Sequence, residues 1–175
     1  MKRHHSAVLV IAALSLTILC KESLLTAQQR ISVQQQKIVE VMSTFFAGAH
    51  DDDLAKFHSI VMPRFYVFDN GVRFNSDTLM DLIKSMHAAG KRFEWHVTET
   101  DIHINGNTAW IAYVSKGSIT NTSTTTDQQW LESASVEMRS GDWKIVSCTA
   151  PGFLHLQQPM RSKSISFMAS RRDAN

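Results

Sequence analysis

The chain has 175 residues, 43% of them hydrophobic and 19% charged, and a formal net charge of +2. This size and composition suit one ordinary globular domain with appended segments and require no second core. The charge is unevenly distributed, because residues 22–150 contain 11 basic and 15 acidic side chains while both ends are basic. A mildly acidic centre argues against nucleic acid as the main partner, since phosphate binding needs a clustered basic face.

The first 27 residues have the pattern of a secretory signal peptide. Basic Lys2 and Arg3 precede an apolar run of 14 residues that ends at Cys20. That run is short for a bilayer-spanning helix of about 20 residues and fits the apolar core of a signal peptide. The best cleavage site follows Ala27, so we expect a periplasmic or secreted mature chain that starts near Gln28 and keeps no membrane span. An uncleaved anchor and lipidation at Cys20 are the alternatives.

The next segment, residues 28–90, predicts three helices and one short hairpin. The first helix runs from Gln28 to Ala49, and its apolar residues fall on one face. The second runs from Leu54 to Val61, where Pro63 is expected to end it. A strand from Phe65 to Phe68 then turns at Asp69-Asn70-Gly71 into residues 72–74. The third helix, residues 77–89, is capped by Asn75 or Ser76 and stopped by Gly90.

Three consecutive aspartates, Asp51, Asp52 and Asp53, lie between the first two helices. They lack the alternating spacing and the later glutamate of a calcium loop, so capping of the second helix is the better interpretation. His96 and His103 also match no metal-ligand spacing. The sequence therefore indicates neither a metal site nor a cofactor.

Residues 93–149 predict an antiparallel meander of three or four strands. Apolar residues alternate along the first strand, and this alternation moves to the other face of the strand near Glu99-Thr100-Asp101. Such a change of parity requires a bulge or a bend. Asn105-Gly106 predicts a tight hairpin turn into a strand over residues 108–120. Polar residues 121–127 predict a turn or a loose strand edge, and a strand over residues 128–139 follows. A turn at Ser140-Gly141-Asp142 then leads into the last strand.

Several motifs carry a family resemblance: the run Phe45 to Leu54 (FFAGAHDDDL), the strand Phe65 to Phe68 with its glycine turn, and the segments WLES at residues 130–133 and GDWKIV at residues 141–146. Together they resemble the nuclear transport factor 2-like superfamily in its SnoaL-like branch, over about residues 32–150. The resemblance implies an α+β fold in which a cone-shaped, curved antiparallel sheet wraps around three N-terminal helices. It also implies an apolar pocket at the open end of the cone and a homodimer. Relatives include cyclases, isomerases and dehydratases.

The sequence departs from that branch at the end of the last strand. Members often carry a histidine there, followed by a small hydroxyl residue, whereas this chain has Thr149 and Ala150. A histidine that could transfer protons is therefore missing at that place, which lowers the expectation of an enzyme.

Glu132 is the main candidate for a catalytic group. It shares its strand face with Trp130, Ala134 and Val136, so if that face lines the cone, burial would raise the pKa of the carboxyl group and make it a usable general base. The alternative is a solvated glutamate at the open rim. Asp69, at the hairpin, is the second candidate base.

Aromatic side chains on the strands are candidates for ligand contacts, although core packing accounts for most such residues. The candidates are Tyr66, Trp95, Tyr113 and Trp130, with Trp110 beside them. Cys148 is expected to be a small buried residue. Residues 151–175 predict a disordered basic tail.

Two functions remain open. The favoured one is an exported protein that binds a small apolar molecule in the cone or acts as an interaction module. The other is an isomerase, cyclase or dehydratase that needs no cofactor and uses Glu132 or Asp69 as a general base.

Overall fold

The structure is a computed structural model that describes residues 32–150. The predicted signal peptide, the start of the mature chain and the predicted basic tail lie outside the described residues. Within residues 32–150, no helix combines the length and the apolar content that crossing a membrane requires.

Residues 32–150 contain three helices, as predicted. Helix α1 covers residues 32–50, α2 covers Leu54–Ile60 and α3 covers Ser76–Ala88. The Asp53 side chain caps α2 by accepting a hydrogen bond from the Lys56 backbone N–H at 2.9 Å. Asn75 caps α3 in a reciprocal capping box with Thr78. The polar residues before each helix therefore fix where it begins.

In the part of the chain that the structure describes, six strands form one sheet in the order β2-β1-β6-β5-β4-β3. The strands are β1 (Val61–Asp69), β2 (Val72–Phe74), β3 (Lys91–Asn105), β4 (Thr108–Asn121), β5 (Thr124–Arg139) and β6 (Asp142–Thr149). The four-stranded meander is confirmed as β3 to β6. The expectation of a purely antiparallel sheet is wrong in one place, because β1 pairs with β6 in parallel. The long connection through α3 and the meander allows β6 to return alongside β1 in the same direction.

The predicted bend in the first long strand is confirmed. The β3–β4 pairing shifts between Thr98 and Asp101, and Glu99 has a positive φ of 49°. Two residues of β3, Glu99 and Thr100, therefore stand opposite one residue of β4, Tyr113. A bulge of this kind bends the strand and changes its parity.

Several predicted boundaries differ from the structure. Pro63 lies inside β1 and does not end a helix, because α2 already ends at Ile60. The β1–β6 pairing is irregular between Val61 and Tyr66, and such a place tolerates a proline that has no N–H to donate. Strand β5 begins at Thr124, so most of the expected loose segment is strand.

The hairpin turn after β3 is confirmed but shifted by one residue. Asn105 pairs with Thr108, so the two connecting residues are Gly106 and Asn107. Of these two, Gly106 has the positive φ, at 59°. The shift matters because this turn sets the register between β3 and β4.

Side chains of all three helices and the inner face of the sheet form one buried cluster. Neighbouring aromatic rings make up much of it, including Phe45 against Phe57 at 4.6 Å and Phe93 against Trp95 at 5.3 Å between ring centroids. The Trp143 Nε1–H group donates a hydrogen bond to Gln34 Oε1 at 2.8 Å. This bond joins the last strand to the first helix.

Candidate functional site

A narrow cavity lies between the helices and the inner face of the sheet. About 30 Å³ of it can hold the centre of a water molecule, and the space in and around it, part of which is open to solvent, is about 450 Å³. That space suits one or two water molecules or a compact organic molecule. The described lining residues are Phe45, Phe46, Ala49, Val67, Asp69, Leu79, Ile83, Trp95, Tyr113, Glu132, Cys148 and Ala150.

Tyr113 and Glu132 meet at the sheet wall of this cavity. They are directly opposed residues of β4 and β5, and the alternation of each strand turns both side chains toward the interior. The Tyr113 hydroxyl donates a hydrogen bond to the Glu132 carboxyl group. The β3 bulge lies directly opposite Tyr113 on the other side of β4.

Glu132 is buried, with 8% of its surface exposed. Burial raises the pKa of its carboxyl group to about 7, the hydrogen bond from Tyr113 opposes this change, and the charge of Asp69 adds to it. Its Oε2 atom has no hydrogen-bond partner among the described residues. A carboxyl group that is about half ionised at neutral pH can both accept and donate a proton.

Asp69 reaches the cavity from the end of β1. Alternation along this strand turns Phe65, Val67 and Asp69 inward, and Asp69 is only 2% exposed. The strand ends here because the next two residues, Asn70 and Gly71, form the turn into β2 with positive φ angles. The fold therefore brings two carboxyl groups into one largely apolar space.

Two further ionisable groups line the cavity. Burial raises the pKa of the Tyr113 phenol and of the Cys148 thiol well above their usual values, and the Glu132 charge adds to both changes. Both groups are therefore neutral at physiological pH. Cys148 is fully buried on β6, opposite Ala134 of β5.

The aromatic candidates lie in different places. Trp95 lines the cavity and stacks on Phe46 at 5.6 Å. Trp130 is buried in the core but is not among the residues that line the cavity. Tyr66 lies outside it, with the Arg73 guanidinium 4.3 Å from its ring centroid. Trp110 is 45% exposed and stacks on His103 at 4.2 Å.

The structure thus brings together Glu132, Asp69, Tyr113 and Trp95 and leaves out Tyr66 and Trp130. Sequence reasoning missed the hydrogen bond between Tyr113 and Glu132. The signal was the hairpin between β4 and β5, whose exact turn would have paired these two residues. It also missed the helix residues of the cavity wall, which have no signal beyond their apolar periodicity. Within the described range, no group of three His, Cys, Asp or Glu side chains is arranged to hold a metal ion.

The fold and its cavity define a cone protein of the nuclear transport factor 2-like type. The chain belongs to the SnoaL-like domain family, whose sequence model matches residues 38–150. No curated protein matches the chain.

Solved structures share the fold at low sequence identity. An NTF2-like protein from Novosphingobium aromaticivorans is 14% identical with a TM-score of 0.61, over 73% of this chain and 86% of that one. A ketosteroid isomerase-like protein from Erwinia carotovora atroseptica is 13% identical with a TM-score of 0.52, over 64% and 90%. The association domain of CaMKII from C. elegans is 19% identical with a TM-score of 0.56, over 68% and 95%. At these identities the likeness concerns the fold.

Proposed function

We propose that this protein is an isomerase- or dehydratase-type enzyme that binds a small, largely apolar molecule in the cone and transfers a proton through Glu132. One observation carries the proposal: a buried carboxyl group with a pKa of about 7 lines an apolar cavity. A general acid or base works best when its pKa lies near the operating pH.

The neighbouring groups support distinct roles. Tyr113 holds the Glu132 carboxyl group in place through its hydrogen bond and favours the ionised form, which is the base. Asp69 acts in the opposite direction, because its charge favours the protonated form. The apolar lining of Phe46, Trp95 and Leu79 strengthens electrostatic interactions inside the cavity, because it lowers the local dielectric constant.

The missing histidine of the last strand counts against an enzyme only if the cavity has no other titrating group. Glu132 provides such a group on the neighbouring strand. The likeness to a ketosteroid isomerase-like protein supports proton transfer as the reaction class. Binding without turnover is the second candidate, supported by the largely apolar lining.

The test uses small carbon acids, such as branched ketones and amino ketones, in deuterated buffer. Proton NMR follows the loss of the signals next to the carbonyl group. We expect the protein to catalyse exchange for part of this set and Glu132→Gln to abolish it. Asp127→Asn is the matched control, because it neutralises an exposed carboxylate on the same strand. Exchange at the uncatalysed rate, together with ligand binding that Trp95→Ala weakens and Glu132→Gln spares, would favour binding alone.

We also propose that two copies associate through the outer face of the sheet. Leu131 on β5 is 73% exposed and Trp110 on β4 is 45% exposed, and both lie on that face. Large apolar side chains exposed together often mark an interface. The fold is shared with an association domain, which supports the same proposal.

Export from the cytoplasm remains a proposal that rests on residues 1–27. Mass spectrometry of protein from the host's extracytoplasmic fraction tests it, with an expected N-terminus near Gln28. An intact chain that keeps Met1 in the membrane fraction would contradict cleavage.

A further inference from the structure

The described lining of the cavity contains several acidic groups. They are two carboxylic acids, one phenol and one thiol, whereas no residue of that lining is Lys, Arg or His. All four groups become negative when they ionise. An anionic ligand would add negative charge to an apolar space that already contains two carboxyl groups, so the lining selects against it.

Glu132 is the group with an unmet hydrogen-bonding capacity. Tyr113 donates one hydrogen bond to its carboxyl group, but Oε2 has no partner among residues 32–150. A buried carboxylate with too few donors is costly, and a donor supplied by a bound molecule would remove that cost. Among residues 32–150, no positive group contributes to the pKa of this carboxyl group, which lies beside an apolar wall, a phenol and a second carboxyl group.

The remaining walls suit the apolar part of a cation. Phe46, Trp95 and Tyr113 bring three aromatic rings to the lining, with Tyr113 6.2 Å and Trp95 5.6 Å from Phe46 between ring centroids. Aromatic rings attract organic cations as well as apolar groups. The small free space limits the substituent to a compact one.

We infer that the cavity takes a small protonated amine with a compact apolar substituent, whose ammonium group pairs with Glu132. This inference rests on the proposed function and names its substrate class. The ammonium group brings the positive charge that the described lining lacks. Pairing with it favours the carboxylate form of Glu132 in the bound state.

Three compounds of similar shape and different charge test the inference: isobutylammonium, isobutanol and isobutyrate. Their binding to the purified full-length protein is measured by calorimetry and by NMR of the Trp95 indole group. At about pH 8 we expect isobutylammonium to bind about tenfold or more tightly than isobutanol, because its ammonium group pairs with a buried carboxylate. Isobutyrate should bind most weakly.

Changing the pH adds a second readout. Glu132 is mostly ionised at about pH 8 and mostly protonated at about pH 6, so the preference for isobutylammonium should shrink nearly tenfold over this range. Glu132→Gln should abolish the preference and keep isobutanol binding, whereas Asp127→Asn should change neither.

The outcomes separate this inference from the proposed function. Isobutanol or isobutyrate binding as tightly as isobutylammonium would overturn the inference, and so would the absence of binding by all three compounds. Deuterium exchange lost in Glu132→Gln would still support proton transfer in either case. A preference for the cation without any exchange would uphold the ligand class as a binding specificity and contradict the enzyme.

Discussion

Tyr113 and Glu132 face each other across the β4–β5 ladder, and the phenol of one donates a hydrogen bond to the carboxyl group of the other. Two effects act in opposite directions on the Glu132 carboxyl group. Burial raises its pKa, and the hydrogen bond from Tyr113 lowers it. Glu132 titrates near neutral pH as a result of both.

Replacing Tyr113 with Phe should raise the pKa of Glu132 further above about 7. The substitution removes the hydrogen bond that favours the carboxylate and keeps the ring, so burial is largely unchanged. Carbon-13 NMR titration of the Glu132 side-chain carboxyl carbon measures the effect. In a proton-transfer assay, the pH at which activity reaches half its maximum should move in the same direction.

Tyr66→Phe is the matched control, since Tyr66 is the other tyrosine of the chain and does not line the cavity. It should leave the titration of Glu132 unchanged. A titration of Glu132 that is the same in Tyr113→Phe and in the parent protein would contradict the role given to this hydrogen bond.

Much of the fold was predictable, because local signals and burial pointed to the same elements. The parity change at Glu99 predicted the bulge, and Asn75 and Gly90 predicted the limits of α3. The parallel pairing of β1 with β6 was not predictable in this way. It depends on which edge of the meander the short hairpin joins, and no local pattern encodes that choice.

The sequence predicted which types of residue form the candidate site better than it predicted which individual residues line the cavity. Alternation placed Glu132 on the inner face, and Asp69 followed from its position at a strand end. The aromatic candidates on the strands lie in different places: Tyr66 has the outward parity of β1, and Trp130 is buried but does not line the cavity. Residues 121–127 were expected to form a turn or a loose strand edge, whereas Asn121 pairs with Thr124 and only two residues connect β4 to β5. This difference in turn length hid the pairing of Tyr113 with Glu132.

Gly117 on β4 is required by a close approach of the backbone. A Cβ atom at this position would overlap the carbonyl oxygen of Glu94 on β3. We expect Gly117→Ala to destabilise the protein by about 3 kcal/mol or more, because backbone atoms must move to make room. Urea unfolding followed by tryptophan fluorescence measures this loss.

Gly106→Ala is the comparison, since its added Cβ meets no atom within 4 Å and the substitution costs only the strain of a positive φ, about 1 kcal/mol. Equal losses for the two variants would show that the close approach at Gly117 does not limit stability.

We expect Leu131, on the outer face of the sheet, to be required for the association of two copies. If two cones pair across their sheets, light scattering at micromolar concentration should give twice the mass of one chain, and Leu131→Lys should give the mass of one chain. A charge in the centre of an apolar interface is costly to bury. Val33→Lys is the control, because Val33 is a half-exposed apolar residue that belongs to α1 and not to the strands of the sheet. A monomeric parent protein would contradict the dimer.

Glu132→Gln should make the fold more stable, and by more at high pH than at low pH. The pKa of Glu132 is raised from 4.5 to about 7 in the folded protein, so between these values the folded state binds more protons than the unfolded state. Stability contributed by the protonated group is therefore present below about pH 4.5 and is lost as the pH rises through about 7. The full loss is on the order of 3 kcal/mol. Glutamine cannot ionise, so the variant should avoid this loss.

Urea unfolding of both proteins at about pH 4.5 and about pH 8 tests the difference, with Asp127→Asn as the control. A stability difference that is the same at both pH values would show that the Glu132 carboxyl group titrates normally, and the proton-transfer function would lose the observation that carries it.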